Sequence, residues 1–139
     1  AGFLYSKIVQ SRKLGKQLNV IIHEHTLKSM MPEYELIRVI GVLVDNALEA
    51  VKQGESVSLH IDSKENRITI TTINEGPELS PDLRQKMFSR GYTTKTEDRS
   101  SHGLGLPNLK KLVDQYDGRI CMDNSYNSGR TFIRIEVTV

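Results

Sequence analysis

Apolar residues recur at helical spacing in two stretches of the chain. Between residues 32 and 54 the spacing of three or four positions predicts an amphipathic helix, buried along Leu36, Ile40, Leu43, Ala47 and Val51. The same spacing predicts a second helix that begins at Leu106, buried along Leu109, Leu112, Val113 and Tyr116. Proline near each start and glycine near each end support both helices.

Alternating apolar and polar residues predict strands elsewhere. The alternation runs through residues 19–25, 56–62 and 67–74, and through a C-terminal hairpin at 119–139. Weaker helical patterns lie at 1–18 and 81–88, and residues 89–104 have no apolar periodicity. This order of elements predicts an α+β fold, a two-layer α/β sandwich in which one mixed, mostly antiparallel sheet carries helices on one face.

The composition fits one globular domain and gives no basis for nucleic-acid binding. The 139 residues carry 19 basic and 17 acidic side chains, which nearly balance. No apolar run reaches membrane-spanning length, and no secretory signal is visible. The single cysteine, Cys121, sits in an alternating pattern, so we expect a buried strand thiol in a reducing cytoplasm.

Three polar side chains interrupt the first long helix. Asp45, Asn46 and Glu49 are spaced so that they can share a helical edge. Mg²⁺ favours a few such protein oxygens together with water and phosphate. A solvated polar face explains the same residues without a ligand.

Two glycines precede the second long helix. Gly103 and Gly105 have no side chains that could keep an anion away from the first helical amides, which lack intrahelical acceptors. A phosphate-binding loop and an ordinary glycine turn both fit this pattern when it is taken alone.

Four motifs, taken in order, resemble those of one ATPase family. "VLVDNALEA" resembles the asparagine box, "INEGPEL" the first glycine box, "MFSRGYTTK" the phenylalanine box with its lid, and "SHGLGLPNL" the second glycine box of the GHKL ATPases. Their order and spacing over residues 17–139 are similar to the ATP-binding catalytic domain of sensor histidine kinases, which has the GHKL (Bergerat) fold. Residues 1–16 resemble the end of a dimerisation helix and its linker, as in the accessory gene regulator receptor kinases of peptide quorum sensing.

The resemblance implies ATP and Mg²⁺ as ligands. Asn46 would hold the Mg²⁺ that bridges the ATP phosphates. Asn74 would accept a hydrogen bond from the adenine amino group, although most relatives carry an aspartate there, and the loss of charge implies weak binding. Gly76 would let the loop pass close to the base, and Glu78 stands where a second glycine is usual.

The resemblance also assigns phosphate contacts to the lid and to the second glycine box. These contacts are Arg90, Thr94, Lys95, Gly103, Leu104 and Gly105. Asn46 and Lys95 are the residues expected to support catalysis directly.

The residue four positions before Asn46 indicates which group accepts the phosphate. Hydrolytic relatives and the related serine kinases carry a glutamate there that activates water or a hydroxyl, whereas this chain has Val42. A neutral imidazole nitrogen needs no such base, so transfer of the γ-phosphate to histidine is predicted. No histidine of the chain matches the family's phosphoacceptor motif, so the acceptor would lie on a separate dimerisation domain.

The resemblance thus implies a protein-histidine kinase domain whose phosphate passes to a response regulator. The full protein would be a membrane-anchored bacterial homodimer with this domain in the cytoplasm, and the isolated domain would be a monomer. Two alternatives stay open. One is an anti-sigma-type serine kinase of similar size, and the other is a pseudokinase interaction module with weak nucleotide binding, which Asn74 and Glu78 suggest.

Overall fold

The computed structural model describes residues 2–23, 29–82 and 99–139, and for residues 99–104 only the backbone. The described helices are α1 Gly2–Lys13, α2 Glu33–Ala50 and α3 Arg99–Gln115. The strands are β1 Gln17–Ile22, β2 Ser56–Lys64, β3 Arg67–Glu75, β4 Arg119–Asn127 and β5 Arg130–Thr138. No helix among the described residues combines the length and apolar character needed to cross a bilayer.

The strands form one mixed sheet in the order β1-β2-β3-β5-β4. β1 runs parallel to β2, and all other neighbours are antiparallel. Both hairpins turn through two residues with positive φ, Glu65 and Asn66 in one and Ser128 and Gly129 in the other. Such turns match the twist of the adjoining strands. The predicted fold class, a mostly antiparallel mixed sheet layered with helices, is confirmed.

The helices pack on one face of the sheet. Inward-facing residues alternate along the central strands: Val57, Leu59 and Ile61 on β2, Ile68 and Ile70 on β3, and Ile133, Ile135 and Val137 on β5. The helices bury their own apolar stripes: Ile40, Leu43, Ala47 and Leu48 on α2, and Leu106, Leu109 and Val113 on α3. This core places the C-terminal end of β3 beneath the helical layer, where the predicted site residues lie.

Helix α3 begins at Arg99, not at Leu106 as predicted. Residues 99–103 contain no apolar side chain, so apolar spacing could not reveal the turns that precede the packed stripe. Gly103 and Gly105 therefore lie within the helix, and so does Pro107. The prediction of a glycine loop followed by a helix from Leu106 is wrong.

The prediction of a buried thiol is also wrong, because Cys121 is exposed. Its neighbour Met122 is buried in the core. Since successive strand side chains point to opposite faces, Cys121 lies on the outer face of the sheet. Alternation identified the strand correctly but did not say which of its two faces packs.

The predicted helix at 81–88 falls mostly outside the described residues. Residues 81 and 82 are helical, and residues 83–98 lie outside the described part of the chain.

Candidate functional site

The polar residues of α2 do not act as one group. Asp45 forms an ion pair with Lys7 of α1, with 2.7 Å between Nζ and Oδ1 and with only 13% of the Lys7 side chain exposed. Asn46 is half-buried and lies about 100° further round the helix. Asp45 therefore joins α1 to α2, and Asn46 stays the candidate magnesium ligand. Within the described residues, no three His, Cys, Asp or Glu side chains are grouped as a metal site.

Asn74 lies buried near the end of β3, with 3% of its surface exposed. Its Nδ2 amide donates a hydrogen bond to the Glu75 carbonyl oxygen at 3.1 Å. Because one end of the side-chain amide is used as a donor in this way, the oxygen Oδ1 is left as the acceptor. The predicted adenine contact requires an acceptor at this position.

Gly76 packs where the chain leaves β3 and passes beside β5. A Cβ atom on Gly76 would lie 2.6 Å from Cδ1 and 3.0 Å from Cγ1 of Ile133. The Gly76 amide donates to the Thr131 carbonyl oxygen at 3.1 Å. A larger residue at position 76 would therefore require the Ile133 side chain to shift.

Asn124 of β4 anchors the loop that follows Gly76. Its Oδ1 accepts from the Leu79 amide at 2.7 Å, and its Nδ2 donates to the carbonyl oxygens of Pro77 and Phe132, each at 3.1 Å. Glu78, where relatives carry a glycine, accepts from the Tyr126 hydroxyl at 3.1 Å. The β4–β5 hairpin therefore holds the loop beside Asn74 in place.

Replacing Asn124 with alanine should lower the free energy of unfolding by about 1–3 kcal/mol, because the Leu79 amide would lose its acceptor. The freed loop should also weaken ATP binding. Thermal denaturation and calorimetry measure the two effects, and Asn127→Ala on the exposed end of the same strand is the matched control. A melting temperature equal to that of the control would contradict the anchoring role.

Helices α2 and α3 meet close to Asn46. A Cβ atom on Gly105 would lie 3.5 Å from Cγ1 of Val42, one helical turn before Asn46. The structure therefore brings Gly105 and the asparagine-box helix together. The Gly103 and Gly105 amides lie within α3, so they are not the free loop amides of the sequence prediction.

The remaining predicted contacts divide into two groups. Arg90, Thr94 and Lys95 lie outside the described residues, and of Gly103 and Leu104 only the backbone is described. The described candidate residues therefore lie on α2, on α3 near Gly105, and on β3 with the loop that follows it.

Two residues were missed by sequence reasoning: Asn124, which anchors the loop after β3, and Thr72, which is buried on the inner face of β3. Asn124 gave no signal, because its partners in the loop, Pro77 and Leu79, are 47 and 45 residues away along the chain. Thr72 could have been found, because the alternation that points Ile70 into the core also points Thr72 inward.

A sequence profile of the family described as "Histidine kinase-, DNA gyrase B-, and HSP90-like ATPase" matches residues 32–139. The chain belongs to this family. The match contains the asparagine box, both glycine boxes and every candidate site residue. Together with relatives that are sensor kinases, it identifies the ATP-binding catalytic domain of a sensor histidine kinase.

Curated relatives are longer than this chain. The chain is 31% identical to a probable C4-dicarboxylate sensor kinase of Halalkalibacterium halodurans, in an alignment that covers 95% of the chain and 26% of the relative. It is also 31% identical to the sensor protein CitS of Bacillus subtilis, with 93% and 26% covered. The chain spans about a quarter of each relative. Neither relative is named as a quorum-sensing receptor.

Solved structures share the fold. The nucleotide-free catalytic domain of the histidine kinase ThkA aligns with a TM-score of 0.76 at 21% identity, covering 98% of this chain and 90% of that one. Full-length ShkA in complex with AMPPNP aligns with a TM-score of 0.75 at 17% identity, covering 99% of this chain and 29% of that one.

Proposed function

We propose that this domain binds Mg²⁺ and ATP in the space between α2, α3 and the loop after β3, and transfers the γ-phosphate to a histidine on a separate dimerisation domain. The observation that carries the proposal is the orientation of Asn74. This residue is buried at the end of β3, with Nδ2 bonded to Glu75 and Oδ1 left to accept from a base. The hydrogen bonds that pair β3 with β2 and β5 are made by the backbone, so they do not require this orientation of the Asn74 side chain.

The donor set near Asn46 fits Mg²⁺ held largely by a nucleotide. Mg²⁺ keeps several waters and takes only one or two protein oxygens when phosphates supply the others. Asn46 offers one half-buried amide oxygen, while the neighbouring Asp45 is paired with Lys7. When bound there, Mg²⁺ would neutralise phosphate charge as the transfer proceeds.

The surroundings of Val42 favour a histidine acceptor. Val42 is half-buried against α3 and cannot accept a proton, so this position supplies no base to water or to a serine hydroxyl. An imidazole nitrogen already has its lone pair and needs only positioning. Transfer to histidine is therefore favoured over the serine-kinase alternative.

The lid supplies the remaining phosphate contacts in this proposal. Arg90, Thr94 and Lys95 would reach the phosphates, with Lys95 supporting the transfer step. The backbone of Gly103, Leu104 and Gly105 would face the phosphates. Because α3 begins at Arg99, the positive end of its dipole lies about one turn before these three residues and would face the same charge.

The proposal extends to the whole protein. A response regulator would receive the phosphate, and the structure of ThkA in complex with the response regulator protein TrrA provides a precedent within the fold. By the same resemblance to sensor histidine kinases, the full protein would be a homodimer anchored in the membrane. For the signal, the resemblance of residues 1–16 supports peptide quorum sensing, while the name of one relative points to C4-dicarboxylates.

Asn74→Asp should raise the affinity for ATP by up to about tenfold, because a charge-assisted hydrogen bond to the adenine amino group replaces a neutral one. The carboxylate cannot donate to the Glu75 carbonyl oxygen, so the free energy of unfolding should fall by about 1 kcal/mol. Calorimetry with ATP and GTP measures the first effect, and Asn19→Asp on β1 controls for added charge. Weaker ATP binding with unchanged GTP binding would refute the adenine contact.

Calorimetry with Mg²⁺ and ATP also tests the proposed function itself. Saturable binding that depends on Mg²⁺ is the expected result. Undetectable binding at millimolar nucleotide would instead favour the pseudokinase interaction module.

A further inference from the structure

Strand β1 forms one edge of the sheet and carries no charge along that edge. Within the described part of the chain, its only neighbour in the sheet is β2. Its six residues, QLNVII, include no charged side chain and no proline, whereas the other edge strand, β4, carries Arg119 and Asp123. Charged residues and prolines are what usually prevent an edge strand from pairing with another chain. The edge at β1 is therefore the one on which a further strand can form.

The backbone of β1 directs alternate peptide groups away from β2. The Gln17 amide donates to the Glu55 carbonyl oxygen at 3.1 Å, so the peptide groups of Gln17 face β2. Successive residues of a strand direct their N–H and C=O groups to opposite edges. The amides and carbonyl oxygens of Leu18, Val20 and Ile22 therefore point to the outer edge.

A groove of about 490 Å³ runs between α1 and this edge. Its apolar lining comes from Ile8 of α1 and from Leu18 and Val20 of β1. Its charged lining residues are Arg12, near the end of α1, and Lys16, in the turn that leads to β1. The groove thus combines strand-pairing groups, apolar side chains and positive charge.

The charge of this part of the chain is positive only. Residues 1–22 contain no acidic side chain and four basic ones: Lys7, Arg12, Lys13 and Lys16. The Lys16 ammonium donates to the Leu48 carbonyl oxygen at 2.7 Å, so the exposed Arg12 is the main lining charge that a carboxylate can reach. A ligand complementary to the groove is therefore extended and acidic.

We propose that this groove is a docking site for an extended acidic segment of a partner protein, which adds to β1 as a further strand. Main-chain hydrogen bonds to Leu18 and Val20 would supply affinity, and a carboxylate against Arg12 would supply specificity. A second copy of this chain fits less well, because pairing two β1 edges would bring two basic α1 helices to one interface. The groove shares no residue with the candidate nucleotide site, so the inference goes beyond the proposed function.

A short synthetic peptide in which valine and glutamate alternate is the probe for this site. It is labelled with a fluorophore and titrated by anisotropy into the unmodified chain, Arg12→Glu and Lys13→Glu. Saturable binding is expected, and Arg12→Glu should weaken it by about 3- to 10-fold, because attraction becomes repulsion. Lys13→Glu is the matched control, since it makes the same charge change at the next residue of α1, which does not line the groove. It should bind nearly as tightly as the unmodified chain.

Amide hydrogen exchange followed by NMR tests the strand addition itself. The peptide should protect the outward amides of Leu18 and Val20 and leave those of Asn19 and Ile21, which face β2, unchanged. A second peptide, N-methylated at every residue, keeps the charges and loses the backbone donors. Equal binding of the two peptides, or no added protection at Leu18 and Val20, would overturn the inference.

Vesicles that contain phosphatidylserine separate this site from a basic surface that binds membranes. If the vesicles bind and the peptide does not, and both charge reversals weaken vesicle binding equally, residues 1–22 recognise a lipid surface and the inference is overturned. It is also overturned if the peptide shows no binding at millimolar concentration. Because ATP binding is measured separately, either failure leaves the proposed function in place.

Discussion

Replacing Asn46 with alanine is expected to lower histidine phosphorylation by about 100-fold or more, because loss of a magnesium ligand removes several kcal/mol of charge stabilisation from the transferring phosphate. Stability should change little, since Asn46 is only half-buried and lies beside, not within, the apolar stripe of α2. The measurement is the rate of autophosphorylation in a reconstituted kinase, together with the melting temperature.

Asn19→Ala is the matched control for this experiment. It makes the same chemical change on an exposed position of β1, and it should leave both the rate and the melting temperature unaltered. Full activity in Asn46→Ala would exclude the magnesium role. A large fall in melting temperature would show that Asn46 supports the fold instead.

The second large effect is expected from Gly118→Ala, at the junction of α3 and the sheet. A Cβ atom there would lie 2.6 Å from the Thr138 carbonyl oxygen and 2.7 Å from Cγ1 of Val139. Backbone cannot move aside as a side-chain tip can, so the free energy of unfolding should fall by about 1–3 kcal/mol. Thermal denaturation measures the loss.

Gly2→Ala provides the comparison, since a Cβ atom at Gly2 meets nothing within 4 Å. It should be neutral or slightly stabilising, as alanine is favoured over glycine in a helix. If Gly118→Ala melted at the same temperature as Gly2→Ala, the close approach of Gly118 to Thr138 and Val139 would be contradicted.

The spacing of apolar residues predicted most of the fold, because the helices and the strands each bury apolar residues at a regular interval. The apolar spacing of α2 reports the face that packs on the sheet, and the alternation of β3 and β5 reports which residues point inward. Where a segment contains no apolar residues, their spacing cannot show whether the segment is helical. The first turns of α3, which contain no apolar residue before Leu104, were therefore missed, and Cys121 was wrongly expected to be buried.

The candidate site was predictable only where a residue matches a motif of the family. Gly76 was singled out in that way, whereas its contact with Ile133 appears only in the folded chain. The pairing of Asp45 with Lys7, 38 residues away, and the anchoring of Pro77 by Asn124, 47 residues away, depend on the folded chain. No local pattern encodes contacts of that kind, so the partition of the polar face of α2 could not be derived from its sequence.

The central claim is tested most directly by supplying the acceptor. The domain is mixed with a separately produced dimerisation hairpin of its own kinase, Mg²⁺ and ATP radiolabelled at the γ-phosphate. Label on the hairpin that is lost in acid and kept in base, and that disappears without Mg²⁺, is the predicted result, because phosphohistidine is acid-labile. Acid-stable label, or none on the hairpin although ATP binds, would contradict transfer to histidine.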